Sequence, residues 1–168
     1  MKNFLFISAA LLIAACSNPK TEKSAAINHI YKPTYSDSLT IGNSSNALLV
    51  EQMHQAMIAK KYDEAAAFLA DSVIFYLGDG TTITGKPAVL DLMKKEYAQV
   101  DIKNYSVQVN LPVITEKGSE LVLLWDNADI VTPDGKSAKG YWMEAFLFEN
   151  GKVVVMNQFE KFEKPEVK

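Results

Sequence analysis

An α+β domain is predicted for this chain, with helices packed on one face of an antiparallel sheet. Three observations support it. Apolar residues recur at helical spacing from Asn46 onward, four strand-like runs fill the chain from Tyr105 to Phe162, and short turn signals separate those runs. Helices followed by consecutive hairpins form this class rather than a parallel α/β fold.

The elements follow in order. Leu49, Met53, Ala56 and Met57 mark a first helix, with Asn46 as its expected cap. Tyr62 to Leu69 reads as a second helix, with Asp63 and Glu64 in the first turn where the macrodipole favours acids. A short strand, Val73 to Leu77, turns at Gly78-Asp79-Gly80 into Thr81 to Thr84. Gly85-Lys86-Pro87 opens a third helix, because proline costs little in a first turn. Tyr105–Thr115, Leu121–Val131, Ala138–Glu149 and Val153–Phe162 are then strands, separated by Lys117-Gly118, Pro133-Asp134-Gly135 and Asn150-Gly151.

The first residues carry an address. Lys2, the apolar run Phe4 to Ala14 and Ile13-Ala14-Ala15-Cys16 resemble the signal and lipobox of bacterial lipoprotein precursors. That resemblance implies cleavage before Cys16 and a diacylglycerol, with a palmitate-type chain, on and beside its sulfur. The run is too short to span a bilayer, which needs about 20 residues. The membrane is thus met only through a lipid anchor, whose two or three chains suffice for stable attachment. Ser17, where enterobacterial lipoproteins retained at the inner membrane tend to carry Asp, points to the outer membrane facing the periplasm. The expected organisation is a signal peptide over 1–15, a lipidated tether over 16–45, a domain over 46–162 and a polar tail over 163–168. Ile30, Tyr31, Tyr35, Leu39 and Ile41 are apolar for a tether, so its later part is expected along the domain surface.

Composition removes several functions. Cys16 is the single cysteine, and once lipidated it leaves no thiol for disulfides, nucleophilic catalysis or metal sites. Loss of Lys2 with the signal takes the net charge from −3 to −4, and the chain contains no arginine. Both facts argue against a nucleic-acid partner. His29 and His54 are the two histidines, one in the tether, so neither a metal site nor a cofactor is expected.

Phe68-Leu69-Ala70-Asp71-Ser72-Val73, then Asp79-Gly80-Thr81 and Ile83-Thr84-Gly85-Lys86-Pro87-Ala88-Val89, resemble the nuclear transport factor 2-like superfamily, in particular its SnoaL-like branch. The likeness covers residues 46–162. It implies a cone: a strongly curved antiparallel sheet with three N-terminal helices packed on it and a partly closed open end. It also implies a homodimer through the convex face, and a range of isomerases, dehydratases, cyclases and non-catalytic members. In the steroid-isomerase relatives a catalytic Asp follows an Ala-Asp-Asp that resembles Ala70-Asp71-Ser72. Counted along without a gap, that base falls on Tyr76. A phenol is a poor base at neutral pH but a competent donor to an oxyanion, so this mechanism is not inherited intact.

Hairpin arithmetic predicts the pocket. A two-residue turn at Asn150-Gly151 sets Glu149 opposite Lys152, Glu144 opposite Asn157 and Trp142 opposite Phe159. A similar turn at Asp134-Gly135 sets Trp125 opposite Glu144 and Asn127 opposite Trp142. One face then carries Trp125, Asn127, Asp129, Trp142, Glu144, Phe146, Asn157 and Phe159, with apolar walls and sparse polar groups, the makeup of a small-molecule pocket. The opposite face, with smaller aliphatics and methionines, suits helix packing or a dimer contact.

Glu144 between two tryptophans is the leading general-base candidate, since burial disfavours its charged form. His54 on the roofing helix would complete an acid/base pair, and Tyr76 would polarise a ligand carbonyl. Each also has a structural reading: a cross-strand hydrogen bond, a boundary histidine, a rim tyrosine. Three functions remain open. The favoured one is an envelope lipoprotein binding a small apolar or amphipathic molecule. The others are an isomerase, dehydratase or cyclase-type enzyme using Glu144 or His54 with Tyr76, and an assembly domain with a packed interior.

Overall fold

A computed structural model describes residues 28–36 and 38–163. The signal run, Cys16, the first part of the tether to residue 27, residue 37 and the last five residues lie outside the described part. The described residues from Pro33 to Glu163 fold as one unit. Its elements are β1 (Leu39–Ile41), α1 (Ser44–Ile58), α2 (Tyr62–Ala66), β2 (Leu69–Tyr76), β3 (Thr82–Thr84), α3 (Lys86–Lys95), a 3-10 turn (Tyr97–Gln99), β4 (Asp101–Thr115), β5 (Glu120–Val131), β6 (Ser137–Glu149) and β7 (Lys152–Phe162). The α+β expectation holds. Two helices precede β2 and the third follows β3, and the sheet is mostly antiparallel.

The sheet has seven strands in the order β1-β4-β5-β6-β7-β2-β3, and β2 on β7 is its parallel pair. Leu39–Ile41 pair with Val113–Thr115 at the free edge of β4, so the ordered sheet begins ahead of residue 46. The α1 cap is Asn43, whose side chain accepts from the Ser45 N–H at 2.9 Å. Asn46, the expected cap, lies inside the helix and donates instead to Glu120 Oε2 at 2.7 Å. α2 is shorter than its alanines suggest because β2 starts at Leu69, four residues before the expected strand.

One core joins helices and sheet. Val50 and Met53 from α1, Ala65 from α2 and Val89 and Met93 from α3 pack on Leu69, Val73, Phe75, Leu124, Phe146 and Val153. Irregular pairing interrupts β4 at two places, β7 at Val154 and β2 between Leu69 and Ile74. Extra residues of this kind bend a strand and sharpen its twist, which lets the sheet curl toward the helices.

Two connections set the registers on which the pocket depends. Asn150 and Gly151 both have positive φ, 50° and 71°, as a two-residue primed turn requires, and Glu149 pairs with Lys152 as expected. The ladder then slips: Phe148 faces Val153 but Leu147 faces Val155, so Glu144 lies opposite Gln158 and Trp142 opposite Glu160. At the β5–β6 connection Thr132 and Lys136 close a three-residue loop, with Gly135 at φ 83°. An odd loop moves the pairing by one, and Trp125 faces Met143 while Asp126 faces Trp142.

Candidate functional site

The interior face of the sheet therefore carries Leu124, Asp126 and Ala128 of β5, Trp142, Glu144 and Phe146 of β6, and Met156 and Gln158 of β7. Over them lies α1, which turns Asn46, Val50, Met53 and His54 inward. Between helix and sheet are two small adjoining spaces of about 40 and 50 Å3, with His54, Met57, Tyr97, Glu144 and Gln158 in the walls of both. The first adds the apolar side chains of Met53, Met93, Met156, Phe75, Leu92 and Phe146. The second adds Tyr105, Asp126, Ile102, Ile130 and Trp142.

Five polar side chains converge there. His54, 5% exposed, sets Nδ1 2.9 Å from the Val50 carbonyl one turn back and Nε2 3.1 Å from Glu144 Oε2. Asp126 Oδ2 stands 3.9 Å from the same Nε2. A carbonyl can only accept, so Nδ1 is a donor. Nε2 and Glu144 Oε2 must then hold a proton between them, since two lone pairs do not face each other at this distance. Gln158 Nε2 donates to Glu144 Oε1 at 2.9 Å, and the Tyr105 hydroxyl donates to Asp126 Oδ2 at 2.6 Å. Asp126 Oδ1 is buried without a hydrogen-bond partner.

The cluster tunes its own protonation. Burial alone would push the His54 imidazole down, but the Glu144 carboxylate, aided by the Val50 carbonyl and Asp126, outweighs it and raises the group to about 9. Burial first, then the Glu144 charge, push the Asp126 carboxyl up to about 6, against the Tyr105 hydrogen bond and the His54 charge. Burial and the Glu144 and Glu160 charges hold Tyr97 neutral, up to about 12, with Gln158 opposing. Burial and the bond to Asp126 push the Tyr105 phenol well above its ordinary range. Near neutral pH the site thus offers a cationic imidazole, two carboxyl groups and two neutral phenols.

His54, Asp126 and Glu144 also form a set whose ligand atoms lie within 4.8 Å of one another. A divalent cation on those atoms would have to displace the His54–Glu144 proton.

No family model matches this sequence, and no curated protein matches it significantly. Solved structures do resemble it. A provisionally identified isomerase from Bacillus subtilis superposes with a TM-score of 0.61 at 15% identity, covering 71% of this chain and 90% of its own. An LEH-like epoxide hydrolase from M. tuberculosis gives 0.58 at 14% identity, over 70% and 84%. An NTF2-like protein of unknown function from Burkholderia pseudomallei gives 0.57 at 19% identity, over 71% and 92%. This chain has the nuclear transport factor 2-like fold. Identities this low carry the architecture alone.

Within the nuclear transport factor 2-like frame the expected site residues divide. His54, Glu144, Trp142 and Phe146 line the interior. Trp125, Asn127, Asp129, Asn157 and Phe159 do not, because the odd β5–β6 loop and the Val154 bulge place them on the other face. Trp125 is 42% exposed and Phe159 72%, while Asp129 accepts from Asn104 Nδ2 at 2.6 Å on the surface. Tyr76 also points outward: it pairs with Asn157, and its neighbour Phe75, paired with Met156, takes the interior position. Trp142 lies across Gly140, where any Cβ would meet its ring.

Four interior polar residues were not expected: Asp126, Tyr105, Tyr97 and Gln158. An aspartate in the middle of the apolar run Leu121 to Val131 was the available signal, since carboxylates seldom occupy a buried strand without a role. Tyr97 could not be placed, because it reaches the cavity from the 3-10 turn after α3.

Proposed function

We propose that this chain is an envelope lipoprotein, anchored through Cys16 at the outer membrane and facing the periplasm, whose cone binds a small apolar or amphipathic molecule and transfers a proton on it. The observation that carries the enzymatic part is the His54 Nε2–Glu144 Oε2 contact of 3.1 Å, with Nδ1 already committed to Val50. A proton held between two buried groups is a general acid/base arrangement, and such catalysis contributes typically 10²- to 10⁴-fold in rate. The Asp126 carboxyl, displaced toward neutrality, supplies a second proton site next to it. Isomerisation and dehydration are the reaction classes that need no more than this. The epoxide hydrolase among the structural neighbours is compatible with acid/base chemistry in such a cone.

The spaces in the present form hold only about three waters each, so a ligand must displace side chains. Met53, Met57, Met93 and Met156 in the walls favour that, because unbranched thioethers repack readily. Trp125, Met143 and Phe159 form an exposed apolar face on the outside of the sheet, which suits a second copy of the chain in a homodimer.

The test incubates small-molecule extract of the envelope with the protein in D2O and follows deuterium uptake by mass spectrometry. Proton transfer predicts a labelled compound with the wild type and none with Glu144→Gln. A compound retained by both proteins but labelled by neither makes the domain a binding module. In the cell, Cys16→Ser should abolish lipid labelling and release the protein from the membrane fraction; unchanged labelling removes the anchor.

A further inference from the structure

We propose that the molecule this cavity receives carries a cationic nitrogen, an ammonium group seated against Asp126 with its apolar part in the methionine-lined space. The inference rests on the cavity being a ligand site and adds the chemical class. It starts from an imbalance. Asp126 is 2% exposed, its Oδ2 is taken by the Tyr105 hydroxyl, and its Oδ1 is buried with no hydrogen-bond partner. A buried acceptor is almost always satisfied by protein or water, so an unpaired oxygen on a carboxylate whose residue lines the second space points to a donor still to be supplied.

Charge states which donor fits. Two carboxyl groups, Asp126 and Glu144, face a single imidazole whose Nε2 is 3.1 Å from Glu144 and 3.9 Å from Asp126. His54 therefore serves Glu144 first and leaves Asp126 underneutralised. Neither space has a lysine in its walls, and the chain has no arginine. A carboxylate or phosphate ligand would meet two like charges, and the one cation in the walls, the His54 imidazolium, is already paired with Glu144. A neutral alcohol would supply a donor but no charge.

The rest of the second space suits an ammonium. Tyr97, Tyr105 and Trp142 line it with Asp126, and aromatic faces attract cations most strongly where water is excluded. His54 itself is already paired on both nitrogens and stacks with the Tyr105 ring at 5.8 Å, so it does not compete for Oδ1. The adjoining space shares His54, Met57, Tyr97, Glu144 and Gln158 and adds Met53, Met93, Met156 and Phe75, which would receive the apolar part.

Three isosteric probes distinguish the charge rule from the cavity itself. Benzylamine, benzyl alcohol and benzoate are titrated at pH 7.5 into the full chain, with the Trp142 indole N–H followed by NMR and Trp125 on the outer face as control. Benzylamine should bind at least tenfold more tightly than benzyl alcohol, and benzoate should not bind. Asp126→Asn should bring benzylamine down to the level of the alcohol while leaving the alcohol unchanged. If Asp126→Asn does not fold, the ranking on the wild type decides. Benzyl alcohol binding as well as benzylamine, or benzoate binding at all, overturns the charge rule while the cavity stands as a ligand site. Shifts at Trp125 without shifts at Trp142, or at neither, remove the ligand site and this inference with it.

Discussion

His54 of α1 and Glu144 of β6, 90 positions apart in the chain, meet Nε2 to Oε2 at 3.1 Å where both side chains are almost fully buried. The chain pays for this with desolvation of both groups, and the shared proton and the flanking Val50 and Gln158 hydrogen bonds offset it. The pair is therefore a fixed feature of the interior rather than a surface ion pair.

The tautomer and protonation of His54 are directly observable. In imidazole NMR, Nδ1 should stay protonated across pH 5–8, and the ring should titrate near 9. Glu144→Gln removes the largest raising influence and leaves burial opposed only by the Val50 carbonyl and Asp126, so the ring should then titrate clearly below 9. An unchanged titration in the variant would mean that Glu144 does not hold the proton.

Stability should fall on the alkaline side. The folded value of about 9 lies above 6.5, so the stabilising contribution of His54 is complete below pH 6.5 and drains away as pH rises through 9. The linked loss is roughly 3 kcal/mol at most, by the relation of about 1.4 kcal/mol per pH unit. Urea unfolding at pH 6, 7.5 and 9 checks this, and His54→Phe should flatten that part of the profile. A wild type equally stable at 6 and 9 contradicts it.

Much of this interior was legible in the sequence, and what was not has two identifiable causes. Strand runs and separators located β4 to β7 because alternation and glycine turns are local signals. Glu144, Phe146 and Trp142 fell on the correct face because all three belong to one strand and share its parity. The partners went wrong where a single residue decides parity. Pro133-Asp134-Gly135 reads as a two- or a three-residue loop equally well, and the choice turns Trp125, Asn127 and Asp129 outward and Asp126 inward. Val154 lies in an unbroken run of three valines, with nothing local to mark it as a bulge. His54 was hard to place for a different reason: its burial depends on Glu144, a contact no helical period encodes.

Asp126 destabilises the fold at neutral pH. Its folded value of about 6 lies above the ordinary 3.8, so its favourable contribution is complete below pH 3.8 and lost as pH rises through 6. Asp126→Asn cannot ionise and keeps the Tyr105 hydrogen bond. It should be more stable than the wild type by up to about 3 kcal/mol at pH 7.5, with the difference gone near pH 3.5. Equal stability at pH 7.5 would mean that the carboxylate is solvated or paired after all.

Tyr105→Phe tests the same carboxyl from the other side. It removes the 2.6 Å donor and leaves both Asp126 oxygens unpaired, at a cost of about 1–3 kcal/mol for a buried acceptor. The Asp126 carboxyl should then titrate above 6, because the Tyr105 bond is the larger of the two influences that hold it down. Carbonyl-carbon NMR of the side chain reads this directly, and a value at or below 6 would remove Tyr105 from the site.

The Val154 bulge is the last determinant, and deleting one residue isolates it. Without Val154 the pairs Phe148–Val153 and Leu147–Val155 become consecutive rungs, so the ladder closes with Glu144 still opposite Gln158 and Phe146 still opposite Met156. What the deletion removes is the local bend and twist that an extra residue brings to the strand. The shortened chain should therefore keep the His54 titration near 9, which reports the interior pairing, yet unfold at lower urea because a straighter β7 fits the helices less well. Val154→Ala keeps the bulge and removes only a half-buried side chain, so it should cost about 1 kcal/mol or less. A deletion no worse than the alanine variant would show that the bulge does not set the curvature of the sheet.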